Sequence, residues 1–145
     1  MKTTYDPSTV VVCVTAQRDC EKMIKIACEI AKNMNATLEV LNISPSTELS
    51  GEVCGNLDYL YTTAKKYGAQ MTIHFNSDPI IAAAAHIARV RACRLVAGVP
   101  GDNTSDFIHA MHMLLPSVPI TVYSRKENIC FEIATESAVR APVMA

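Results

Sequence analysis

Residues 9–14, TVVVCV, form a short, continuous and mostly β-branched run, apolar from Val10 onward, that is too short for a helix. A strand without polar alternation needs cover on both faces, and a parallel sheet with helices packed on each side supplies it. The next stretch of chain can provide that cover. From Asp19 the apolar period lengthens: Met23, Ala27, Ile30 and Met34, flanked by Ile24 and Ala31, line one face of a helix. Asp19 is the expected N-cap, and Glu21 and Lys25 form a correctly oriented i,i+4 pair.

The alternation then repeats. NATLEVLNI (35–43) reads as a helix stop at Asn35 followed by a second strand. Val53, Leu57, Leu60, Ala64 and Tyr67 mark a second helix, Gly68 stops it, and AQMTIHF (69–75) follows as a third strand. The two joints match: helix, left-handed cap, alanine, strand. Ser77 or Asp78 before Pro79 starts a third helix running to about Arg91, because proline at the first helical position gives up an N–H that has no partner there. RLVAG (94–98) is a fourth strand, 105–115 a fourth helix and VPITVY (118–123) a fifth strand. Pro119 cannot donate to a ladder, which places the fifth strand at an edge. Five strands alternating with four helices give an α/β fold: an open five-stranded parallel sheet with right-handed crossovers and helices on both faces.

Beyond 126 the pattern changes. NICFEIA (128–134) alternates Ile129, Phe131 and Ile133, the period of a half-buried strand. The chain thus divides into an α/β domain over 1–126 and a tail over 127–145 that covers the edge strand, pairs with a second copy, or packs loosely on its own chain.

At 145 residues, half of them apolar, the chain has the size of one ordinary domain. A net charge of −1, with charges scattered rather than clustered, gives no field that concentrates nucleic acid or anionic lipid. The longest apolar run, IIAAAAHIA (80–88), is too short to span a bilayer, and the N-terminus lacks the features of a secretory signal, so a soluble cytoplasmic protein is expected. Six cysteines without a CxxC pair read as small buried hydrophobes in a reducing compartment rather than as disulfides or zinc ligands.

In an open parallel sheet, ligands bind outside the carboxyl ends of the strands where the strand order reverses. The segments TAQRD (15–19) and GVPGDNTS (98–105) are the candidates. In the second, Gly98 and Gly101 permit close backbone approach, the start of the fourth helix offers free N–H groups, and Asn103, Thr104 and Ser105 add donors. Pro100 removes one N–H, and Asp102 and Asp106 oppose a phosphate; at about 4 Å and an effective dielectric near 20 each like-charge pair costs about 4 kcal/mol before screening. Arg18 is the cation within reach of an anion. His109 and His112 share a helix face at a spacing that suits a shared metal, but no third ligand follows by spacing, and no metal site is expected. His74 and His86 read as surface or hydrogen-bonded residues. Cys13 lies in an apolar strand, which raises rather than lowers a thiol pKa, and no nucleophile elbow, P-loop or GxGxxG fingerprint is present.

The order of elements, with VVVCVTAQRDCEKMIKIACEIAKNMNATLEVLNIS and AKKYGAQMTI, resembles the universal stress protein family over about residues 8–124. It is also similar to the related domain of potassium-uptake sensor kinases, in the helix beginning Glu21-Lys22-Met23-Ile24. The resemblance implies the sheet order 3-2-1-4-5 of the adenine nucleotide alpha hydrolase-like, Rossmann-like folds, and a homodimer through strand five, with the tail as a further contact. In one branch it implies ATP bound by G-x2-G-x9-G-(S/T). Gly98-Val99-Pro100-Gly101 matches the first half of that motif; the second half falls near Ser105-Asp106, in a loop shortened by about six residues. The acidic residue that this branch carries after strand one is replaced by Thr15 or Ala16, and the adenine would rest on backbone near Ile43. The expected nucleotide site is therefore Thr15, Ala16, Ile43, Gly98, Gly101, Asn103, Thr104 and Ser105.

Three functions are expected, in descending order. The first is a non-catalytic module binding a nucleotide (ATP, AMP or cyclic di-AMP) and acting as a dimeric stress or signalling regulator. The second is a degenerate scaffold recognising a protein partner, and the third a weak ATPase.

Overall fold

The computed structural model describes residues 8–99 and 106–133. Along these the chain runs β1 (Thr9–Cys13), a 3-10 turn (Arg18–Cys20), α1 (Glu21–Asn33), β2 (Thr37–Ser44), α2 (Gly51–Lys66) and β3 (Gln70–Phe75). It continues through α3 (Pro79–Arg89), β4 (Arg94–Val99), α4 (Asp106–Leu114), β5 (Ile120–Ser124) and β6 (Ile129–Ile133). The sheet order is β3-β2-β1-β4-β5-β6. The first five strands pair in parallel, and β6 returns antiparallel on β5.

The uniform apolar run of β1 is explained by its central place: Val10, Val11 and Val12 have no exposed surface. Val10 and Val12 face α1 and α2 together with Val40 and Val96, around Ile24, Ala27 and Leu60. Val11 faces the other way, with Leu41, Leu95 and Val122, towards Ile87 of α3 and Met111 of α4. The α1/β2 and α2/β3 joints turn where the sequence places them, with φ of 57° at Asn35 and 74° at Gly68. Each lets the following alanine N–H bond back into the helix, from Ala36 to Ala31 O and from Ala69 to Ala64 O, both at 2.8 Å. Asp78 caps α3, its Oδ1 accepting from Ile81 N–H at 3.2 Å.

Several local expectations are corrected. Asp19 does not cap α1: it lies inside the 3-10 turn, the cap position is Cys20, and no side chain caps the helix. Glu21 accepts from the Tyr59 hydroxyl of α2. Cys54 and Cys130 are exposed rather than buried.

Among the described residues the sheet has six strands, not five. Pro119 falls just before β5, so the strand loses no ladder N–H and lies inside the sheet; its carbonyl accepts from Leu95 N–H at 3.0 Å. The outer side of β5 pairs with β6 from Ile120↔Ile133 to Ser124↔Ile129. Glu132 fixes this register by accepting from Thr121 Oγ1 at 2.6 Å and from the Arg94 guanidinium. The segment expected as a tail thus contributes a strand of the same sheet, and a second copy meeting the sheet on that side would meet β6, not β5. Among the described residues no helix is long and apolar enough to cross a membrane.

Candidate functional site

Strand order reverses between β1 and β4, whose crossovers leave to opposite faces, and a cavity of about 300 Å³ opens there at the carboxyl ends of the strands. That volume is at the lower end of ligand pockets, which span about 300–1,000 Å³. The walls are largely apolar, with Val14, Met23, Leu41, Ile43 and Phe107 of α4 among them.

The segment after β1 is held from three directions. Asn42, buried in β2, donates from Nδ2 to Val14 O at 2.9 Å while its Oδ1 accepts from Ser44 Oγ at 2.8 Å. Asn56 of α2 donates to Ala16 O at 3.1 Å. Thr15 Oγ1 lies 3.5 Å from Cys20 Sγ. A loop tied to β2 and α2 in this way presents fixed groups to the crevice.

Of the expected site residues, Thr15, Ile43 and Gly98 line the cavity. Ala16 lies beside it, its carbonyl already taken by Asn56. Gly101, Asn103, Thr104 and Ser105 lie outside the described residues. Gly98 has a second reason for being glycine. A Cβ there would stand 2.7 Å from Met23 Sδ, so the α1 side chain packs against the bare backbone of β4.

Arg18 turns away from the crevice, donating from Nε to Asn56 Oδ1 at 3.1 Å and stacking 4.8 Å from the centre of the Tyr59 ring. The cation at the cavity is Arg125, the first residue beyond β5. Its backbone N–H bonds Val99 O at 3.2 Å. Its guanidinium reaches back across the opening, from Nη1 to Gln17 Oε1 at 2.9 Å and from Nη2 to the Asp19 carboxylate. The β5–β6 turn sets this position: Asn128, at φ 56°, donates from its N–H to Ser124 O at 2.7 Å and accepts from the Tyr123 hydroxyl at 2.7 Å. Nothing local in the sequence signals Arg125, because its partners lie 106 and 108 residues away.

Cys13 also lines the cavity. Burial, reinforced by the Glu39 carboxylate, pushes its thiol up from an ordinary 9.0 to about 12, so it is neutral at physiological pH and poorly suited to be a nucleophile.

A second polar cluster lies under α3. His86, buried, holds Glu39 Oε1 at 2.8 Å through Nε2, and its Nδ1 is 3.1 Å from His74 Nε2. Glu39 Oε2 accepts from Thr72 Oγ1 at 2.7 Å, and Arg89 Nη2 lies 3.4 Å from His86 Nδ1. Of the pair on α4, His109 is exposed, and His112 Nδ1 is buried without a hydrogen-bond partner among the described residues. Among those residues no three His, Cys, Asp or Glu side chains converge to hold a metal ion.

No protein-family model matches the chain, and no curated protein matches it in sequence. Solved structures do match in fold. A universal stress protein in complex with cAMP superposes at TM-score 0.64 and 18% identity, covering 81% of this chain and 97% of that one. The universal stress protein from Archaeoglobus fulgidus in complex with dAMP gives 0.62 and 18%, covering 79% and 96%. A universal stress protein family protein from Arabidopsis thaliana with AMP bound gives 0.54 and 18%, covering 82% and 92%. The chain therefore has the Rossmann-like fold of universal stress proteins.

Proposed function

We propose that this protein is a non-catalytic module of the universal stress protein type that binds an adenine nucleotide in the crevice between β1 and β4 and acts as a dimeric regulator in the cytoplasm. The observation that carries this reading is the cavity itself: it sits where the strand order reverses, has apolar walls for a base and, among the described residues, is lined by one cationic side chain. Structures of the same fold that hold dAMP, cAMP and AMP support the ligand class. Six unpaired cysteines suit a reducing compartment.

Thermal shift with ATP, AMP and cyclic di-AMP tests the reading. Saturation at a hundredfold excess over Kd adds about 2.7 kcal/mol to stability. The absence of any shift at millimolar concentrations refutes it. Phosphate release from ATP above a protein-free control would replace it with the weak ATPase.

The dimer in this reading forms through β6. Among the described residues the outer edge of β6 is unpaired, and Ile129 and Phe131 are 51% and 45% exposed on one face of it. Light scattering is expected to give twice the chain mass, falling to one chain in Phe131→Asp. The same exposed face favours the second reading, a scaffold for a protein partner, if no nucleotide binds.

A further inference from the structure

The crevice holds a cation that is already occupied by groups of the protein. Among the described residues that line the cavity, Arg125 is the one charged side chain. Its two terminal nitrogens are aimed at two oxygens, Gln17 Oε1 at 2.9 Å and the Asp19 carboxylate, both from the segment after β1. A guanidinium fork presenting parallel donors to oxygen is the geometry that recognises carboxylate and phosphate alike.

We propose that Arg125 is the phosphate-recognising residue of the crevice and that Asp19 is its resting counter-ion, an internal anion that a ligand phosphate must displace. The inference rests on the nucleotide reading above and adds which group of the ligand is selected and by what. The Arg125 and Asp19 side chains are 36% and 47% exposed. An ion pair so open to water is weak, so an incoming dianion can replace the carboxylate at little cost. Gln17 keeps its place as a neutral acceptor. The selected ligand is accordingly a nucleoside carrying a phosphate monoester, in preference to the bare nucleoside, which has nothing with which to compete for Arg125. The arrangement also makes Asp19 an antagonist of binding rather than a ligand contact.

Calorimetric titration of the full chain with AMP and with adenosine, in wild type, Arg125→Gln and Asp19→Asn, separates the possibilities. AMP is expected to bind wild type more tightly than adenosine. Arg125→Gln should weaken AMP about tenfold, the loss of a charge-assisted bond, and leave adenosine within about twofold. Asp19→Asn should tighten AMP about threefold with adenosine unchanged, the reverse of what damage to the fold would produce. If Arg125→Gln leaves the AMP-to-adenosine ratio intact, or Asp19→Asn weakens AMP, the assignment of Arg125 and Asp19 is overturned while the nucleotide reading stands. If wild type binds neither compound, the nucleotide reading itself falls, and the assignment with it.

Discussion

Of the clusters that join an acid to a nitrogen base, the one beneath α3 and the one at the crevice differ in almost everything else. Glu39, His86, His74 and Thr72 form a chain of short hydrogen bonds beneath α3, with the His86 side chain only 6% exposed. Arg125, Asp19 and Gln17 meet in the open, across the mouth of the crevice. Around the buried His86 water is mostly held off, and there an acceptor or donor that loses its partner is costly. Where water remains, partners can be exchanged. The buried histidine holds its partners in place, and the open pair is free to exchange its own.

His86→Ala strips Glu39 and His74 of their shared partner and opens a cavity, and should lower unfolding free energy by about 3 kcal/mol in a urea titration. A loss below about 1 kcal/mol would mean that water reaches the cluster and that the contrast is false.

Cys13 lies between the two clusters, lining the crevice while feeling the charge of Glu39. Its folded pKa of about 12 exceeds the ordinary 9.0, so the stabilisation is complete below pH 9 and is lost as pH rises towards 12. Over that window stability should fall by about 1.4 kcal/mol per pH unit beyond the slope of Cys13→Ala, as pH-dependent denaturation would record. Equal slopes in the two proteins would show that the thiol is not enclosed.

Gly98→Ala should cost about 1 kcal/mol, at the low end for overpacking because the clashing atom is near the end of a flexible methionine. Displacing Met23 should also narrow the cavity and weaken any ligand, which titration would detect. The smallest effect is expected at the open pair, where Asp19→Asn should change stability by less than about 0.5 kcal/mol. A larger loss would make the Arg125 contact a structural tie rather than an exchangeable one.

The fold was readable in the sequence because its determinants are local. The unbroken apolar run at 9–14, the helical spacing of Leu57, Leu60 and Ala64, and the left-handed caps at Asn35 and Gly68 each announce an element within a few residues. That Thr15 and Gly98 border the crevice was readable for a similar reason, since both follow from where β1 and β4 end. The side chains that complete it were not. Arg125 depends on a turn created by β6, and Glu39 meets His86 across 47 residues. Asp19 looked like a cap because acidic residues before helices usually are, and here a long-range cation draws it instead. Pro119 suggested an edge strand, yet a shift of two residues in the strand's start, from 118 to Ile120, removes the conflict.

Gly98 serves two masters: it borders the crevice, and it leaves the space that Met23 fills. A descendant of this chain with no ligand to bind would still gain a little from keeping that glycine, because Met23 of α1 packs into the space a Cβ would take. A glycine surviving at this position in a lineage is thus a record of architecture, and binding must be sought in residues whose replacement would leave the fold untouched.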